Sequence, residues 1–145
     1  TPMSTNQSKQ LIQRWWEALN QGNALEIIEE IYASDYVLHD PTLPEPVQGL
    51  EGVREFVSSV VTGFPHARYT VEELIAEGDK VVQRLTVRGT HQGEFQGIPP
   101  TGKQVTVWLI VISRVANNKV VEEWQMVDAL SLMQQLGVIP VPGQD

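Results

Sequence analysis

Two segments hold the side chains best suited to chemistry. The first, Gly89 to Lys103, reads GTHQGEFQGIPPTGK, and its glycines and prolines clamp a loop just after His91. The second, Trp124-Gln125-Met126-Val127-Asp128, ends on a carboxylate immediately before the apolar run Ala129-Leu130-Ser131-Leu132. A carboxyl group in an apolar cavity is disfavoured as an anion, so it holds its proton nearer neutrality and can both give and take one. Strand alternation puts Trp124, Met126 and Asp128 on one face, which would set an aromatic wall beside a general acid/base. Asp128 reads equally as the N-cap of the helix that follows it. Asp40, within His39-Asp40-Pro41, is the second candidate carboxylate, and opening an Asp-Pro turn is its alternative role.

Other polar groups are candidates for the same pocket. Arg84 is placed to pair with Asp128 across it, which would favour the anion, but the parity of this strand is open: Arg84 and Thr86 face the pocket, or Leu85 and Val87 do. His91 ends a strand beside the glycine loop, positioned to donate to a substrate oxygen or to loop backbone. His39 stands next to Asp40, and His66 after Pro65 reads as exposed loop. Trp15, Trp108 and Trp124 are aromatic candidates for the cavity wall, although such residues serve more often as core. The three histidines have no spacing that pairs two on one face and there is no cysteine, so no metal site is expected.

The elements that must position these groups follow from periodicity. Leu11, Trp15 and Leu19 recur at helical spacing and Gly22 supplies a stop. Asn23 with Glu26 has the form of a capping box for a second helix carrying Leu25, Ile28 and Ile31. Tyr36 to Asp40 reads as a short strand ended by Pro41, Pro44 and Pro46. A third helix spans Leu50 to Thr62, with Val53, Phe56, Val57, Val60 and Val61 as its apolar stripe. Beyond it the period changes to that of strands. Tyr69 to Glu77 and Lys80 to His91 flank the turn Gly78-Asp79, and Val105 to Val115 and Val120 to Val127 flank Asn117-Asn118. Ala129 to Leu136 is a short helix ended by Gly137. Helices first and a curled antiparallel sheet second make an α+β domain, with the helices on the concave face of the sheet.

At 145 residues, 41% of them hydrophobic, the chain is expected to form one domain over residues 1–145, with about 1–7 flexible and about 138–145 an extended tail. The absence of cysteine fits a cytoplasmic location. A net charge of -8 without any lysine or arginine cluster disfavours nucleic acid and membrane as partners. The N-terminus has no signal-peptide pattern, and no segment approaches a membrane span.

The element order is similar to the cone-shaped α+β barrel superfamily of ketosteroid isomerase, scytalone dehydratase and limonene epoxide hydrolase, which has the nuclear transport factor 2-like fold. Within it the chain resembles the SnoaL-like polyketide cyclases and ester cyclases. The resemblance rests on the Gly89 to Lys103 loop, on Glu122-Glu123-Trp124 with Asp128 four residues later, and on Gln134-Gln135-Leu136-Gly137, and it covers Trp15 to Gly137. It implies a homodimer of cone-shaped barrels, each with a deep apolar pocket for a small hydrophobic molecule, no cofactor, and Asp128 as the acid/base of a ring-closing aldol reaction. Asp40 matches the position of the proton-shuttling aspartate of ketosteroid isomerase. That enzyme's oxyanion-binding tyrosine is replaced here by Trp15, which argues against isomerase activity of that kind. Arg84 and Asp128 match two of the three charged groups of limonene epoxide hydrolase, but Thr86 replaces the middle aspartate and leaves that set incomplete. Trp108-Leu109-Ile110-Val111-Ile112 lacks the polar groups that the cyclases place on this strand, so a drier pocket is expected.

Two classes of function fit: a cofactor-independent acid/base enzyme acting on a small apolar carbonyl compound, or a non-catalytic small-molecule-binding module on the same fold.

Overall fold

The computed structural model describes residues 3–143. Helix α1, Thr5–Gln21, starts on a capping box in which Ser4 accepts from the Gln7 amide and Gln7 accepts from the Ser4 amide. It stops at Gly22, whose left-handed φ of 83° costs glycine nothing. Residues 5–7, expected to be flexible, are therefore helical; residues 1–2 of that segment lie outside the described residues. Helix α2, Ala24–Ile31, follows at once. Its expected capping box is absent, because the Asn23 side chain makes no cap hydrogen bond.

Strand β1, Tyr32–His39, begins at the end of α2, four residues ahead of the expected start, and a two-residue strand β2, Val47–Gln48, follows the proline loop. Helix α3, Gly49–Gly63, then leads to β3, Arg68–Glu77, β4, Lys80–Thr90, β5, Gln104–Ala116, and β6, Lys119–Val127. Helix α4, Ala129–Leu136, ends at Gly137 as expected. Residues 138–143 add no helix or strand, and residues 144–145 of the expected tail lie outside the described residues. No helix among the described residues is long and apolar enough to cross a membrane.

The strands form one open sheet in the order β2-β1-β6-β5-β4-β3. The architecture is α+β, as the element order predicts. One pairing corrects the expectation of a wholly antiparallel sheet: β1 runs parallel to β6, with Leu38 opposite Glu123 and His39 opposite Trp124. Sequence proximity could not signal it, since the two strands lie at opposite ends of the chain.

Helices α1, α2 and α3 cover one face of the sheet. Trp15, Trp16, Ile28 and Ile31 bury there against Leu38, Leu85 and Val111, each large apolar side chain contributing roughly 1.5–3 kcal/mol over exposure. Along β5 the alternation is strict. Val105, Val107, Leu109, Val111, Ser113 and Val115 are buried, while Thr106, Trp108 and Ile110 face outward.

The glycine loop is fastened to the end of α3. Gln92 and Gly93 amides both donate to the Gly63 carbonyl, and a Cβ at Gly93 would lie 2.1 Å from the Thr62 backbone oxygen. At the tip, Phe95 and Ile98 exchange both backbone hydrogen bonds around Gln96-Gly97, each with positive φ, as in a primed hairpin turn. Because the obstructing atom is backbone and cannot swing aside, Gly93→Ala is expected to lower stability by about 2 kcal/mol. Urea unfolding checks this; an unchanged midpoint would contradict the fastening.

Candidate active site

The sheet carries a line of polar side chains through its core. Trp16 of α1 donates its indole N–H to Gln83 Oε1 of β4 at 3.2 Å. Gln83 Nε2 donates to the Val81 carbonyl at 3.0 Å and to Ser113 Oγ of β5 at 2.9 Å. Ser113 hydrogen-bonds Glu123 Oε2 of β6, and Tyr36 of β1 meets Glu123 Oε1 at 2.5 Å. The register makes this possible, since Ser113 lies directly opposite Glu123 and Leu38 directly beside it. Glu123 is 7% exposed, and burial pushes its carboxyl above the usual glutamate range against the opposing effect of the Ser113 and Tyr36 hydrogen bonds. Burial, and then the nearby Glu123 charge, also raise the Tyr32 and Tyr36 hydroxyls well above an ordinary tyrosine.

Of these groups, Trp16, Tyr32, Tyr36 and Glu123 border a cavity of about 450 Å³ between the helices and the sheet. Its wall includes Trp15, Trp16, Tyr32, Tyr36 and Glu123, the strand residues Val107 and Leu109, and Phe95 and Gln96 from the loop tip. Asp40 lies on the same wall, 8% exposed. Its Oδ1 accepts from the Thr42 amide at 2.8 Å and the Thr42 hydroxyl at 2.7 Å, and its Oδ2 accepts from Gln125 Nε2 at 2.9 Å. Asp40 thus opens the turn and faces the cavity at once. It also borders a shallower outer groove lined by the proline loop, Ile110, Trp124 and Met126.

The parity of β6 is the reverse of that expected. Glu123, Gln125 and Val127 face the cavity, while Trp124 and the 60% exposed Met126 lie on the outer face. Asp128 is exposed at the end of that strand and accepts from the Ser131 amide at 3.1 Å, as a helix cap does. It does not border the cavity, so the apolar surroundings expected for it are missing. Arg84 also points outward. It pairs with Glu73 at 2.8 Å rather than Asp128 and lies over the ring of Trp108, itself 61% exposed, while Leu85 takes the core side.

His39 leaves the cavity too. It stacks on Trp124 and hydrogen-bonds Glu122 at 2.8 Å, and this contact, followed by that of Arg114, lowers the Glu122 carboxyl below the usual glutamate range. His91 is fully buried beneath the loop and stacked on Phe64, outside the cavity wall. Its Nδ1 accepts from the Thr101 amide at 3.2 Å, so it secures loop backbone, and its Nε2 has no hydrogen-bond partner. Of the residues singled out by sequence, the structure brings Trp15 and Asp40 to the cavity. Among the described residues no group of three His, Cys, Asp or Glu side chains is arranged to hold a metal ion.

The model of the SnoaL-like polyketide cyclases matches residues 10–136, which takes in every group on this wall. The chain belongs to the SnoaL-like polyketide cyclase family. IdmH of Streptomyces antibioticus, a proposed polyketide cyclase, is 33% identical over 88% of this chain and 96% of its own, with a TM-score of 0.76. AclR of Streptomyces galilaeus, a proposed hydroxylase, is 31% identical over 94% of this chain and 100% of its own, with a TM-score of 0.83. A SnoaL-like protein of Jannaschia sp. CCS1 reaches a TM-score of 0.86 over 97% of this chain and 99% of its own; at 24% identity it supports the fold alone. No curated protein matches.

Gln83 and Ser113 were not singled out in sequence, and Glu123 entered only as part of the Glu122-Glu123-Trp124 motif, although each is a polar residue in phase with the buried positions of its strand. For this SnoaL-like protein, the raised Glu123 carboxyl sets a pH signature. A folded-state pKa above the unfolded one means that the folded chain binds the extra proton, so stability falls as pH rises from the ordinary glutamate range through the raised value. Glu123→Gln is expected to remove that fall. Urea midpoints measured across pH check it, and parallel profiles for the two proteins would contradict the burial of an ionisable group here.

Proposed function

We propose that the protein is an acid/base enzyme, working without a cofactor, that cyclises, isomerises or dehydrates a small and mostly apolar carbonyl compound. The observation that carries this reading is Glu123, a carboxyl group on the wall of an apolar cavity whose pKa burial raises toward the working range of a general acid/base. The role that spacing offered to Asp128 passes to Glu123, and Asp40 is the second carboxylate on the same wall. Membership of a cyclase family supports the small-molecule chemistry without selecting the substrate.

One observation favours the other class, a binding module. The oxygens of Asp40 and Glu123 are already hydrogen-bonded within the protein. Small cyclic and aromatic ketones, screened by thermal shift and then for turnover, separate the two. On a ketone that is turned over, Glu123→Gln is expected to cut the rate roughly 100-fold or more, the scale of a lost general acid/base. Asp128→Asn is expected to leave the rate unchanged and to alter stability by less than about 1 kcal/mol. Loss of turnover in the folded asparagine variant returns the role to Asp128; binding without turnover of any ketone favours the module.

A homodimer through the outer sheet face belongs to the same proposal. Register places Ile110 opposite Met126 and Ile112 opposite Trp124, with Trp108 on the same face. Such a contiguous apolar patch is unusual on a monomer. Sedimentation at micromolar concentration is expected to give a dimer, and Ile110→Lys a monomer; a monomeric wild type rules the interface out.

A further inference from the structure

We propose that Tyr36 is the group that donates a hydrogen bond to the substrate carbonyl oxygen, and that Gln83, remote from the substrate, is the positioning residue that makes it do so. The inference rests on Glu123 being the acid/base of the cavity, and it follows from the one-way groups along the polar line. An indole N–H only donates and a backbone carbonyl only accepts. Trp16 therefore holds Gln83 Oε1, and the Val81 carbonyl holds Gln83 Nε2, so the amide has one orientation. Its second N–H points at Ser113 Oγ, which leaves the Ser113 hydrogen to go to Glu123 Oε2.

With Oε2 occupied as an acceptor, a protonated Glu123 carries its hydrogen on Oε1, against the Tyr36 oxygen. Tyr36 then accepts from Glu123 and its own hydrogen is free. Tyr36 borders the cavity, so that hydrogen has the substrate to meet. A phenol that accepts from an acid is a stronger donor than one acting alone, since hydrogen bonds in a chain polarise one another. The ligand class is a ketone or enol whose oxygen gains negative charge during reaction; when that oxygen is protonated, Tyr36 passes its hydrogen to it and takes the one on Glu123 Oε1, so the phenol is restored and Glu123 is left as the carboxylate.

The test uses acetophenone carrying 13C at the carbonyl, bound in mildly acidic buffer and read by infrared difference spectroscopy. The wild type is expected to shift the carbonyl stretch to lower frequency. Tyr36→Phe is expected to abolish that shift and weaken binding roughly 10-fold. Gln83→Glu places an acceptor against Ser113, reverses the chain and frees Oε2 to donate, so Tyr36 turns back to Glu123 and the shift is expected to vanish without any change in the cavity. Circular dichroism confirms that each variant is folded. A shift that survives Tyr36→Phe but not Glu123→Gln means that Glu123 meets the carbonyl itself, which overturns this inference and leaves the acid/base reading standing. A shift lost in Tyr36→Phe but retained in folded Gln83→Glu overturns the positioning role. An unshifted carbonyl in the wild type, or a shift that survives both Tyr36→Phe and Glu123→Gln, overturns inference and reading together.

Discussion

The structure turns on the burial of one carboxyl group in the middle of a sheet. An isolated carboxylate in an apolar interior is unfavourable by several kcal/mol, and the molecule meets this in two ways. It supplies hydroxyl partners to both oxygens from the neighbouring strands, and it raises the carboxyl pKa. Four strands, β1, β4, β5 and β6, and a helix must agree for the whole line to form. The pairing of β5 with β6 fixes Ser113 opposite Glu123, the parallel pairing of β1 with β6 brings Tyr36 within reach, and α1 closes the line through Trp16. The packing of helices on sheet is thereby tied to the polarity of the cavity wall.

The division of the sheet into two faces explains the remaining groups. Residues suited by type to chemistry, Arg84, Trp108, Trp124 and His39, gather on the outside, where they pair among themselves and with Glu73 and Glu122. The inside is mostly apolar, and its polar side chains include Glu123 with Tyr36, Asp40 with Thr42 and Gln125, and Ser59 and Gln96. A ligand entering the cavity would meet two carboxylates differently provided for. Asp40 receives three donors, two from Thr42 and one from Gln125; Glu123 receives two hydroxyls within a buried setting.

Elements were legible in the sequence because their signals are local. Gly22 and Gly137 end helices in the left-handed region, Gly78-Asp79 and Asn117-Asn118 turn hairpins, and the helix stripes have the helical period. The site was less legible because it depends on which parity of a strand faces inward. In β6 the apolar parity, Trp124 and Met126, lies outside, and the polar one, Glu123 and Gln125, lies inside; hydropathy alone therefore chooses the wrong face. The correct choice was present in the neighbours. Gln83 falls in step with Val81 and Leu85, and Ser113 with Val111 and Val115, so each strand carries one polar residue in its buried phase. Reading three strands together would have exposed what no single strand could.

The parallel contact of β1 with β6 also has a kinetic side. Tyr36 and Glu123 are separated by 87 positions, so their meeting closes one of the longest loops the fold contains. Contacts of such separation form late and slow the folding of a chain. On the ribosome, β1 is made well before the strand that will lie against it, and until then the edge that β6 takes is unpaired, since the two-residue β2 lies on the opposite edge. Exposed strand edges invite pairing with other chains. The last strand of this sheet to leave the ribosome both assembles the polar centre of the cavity and covers this edge.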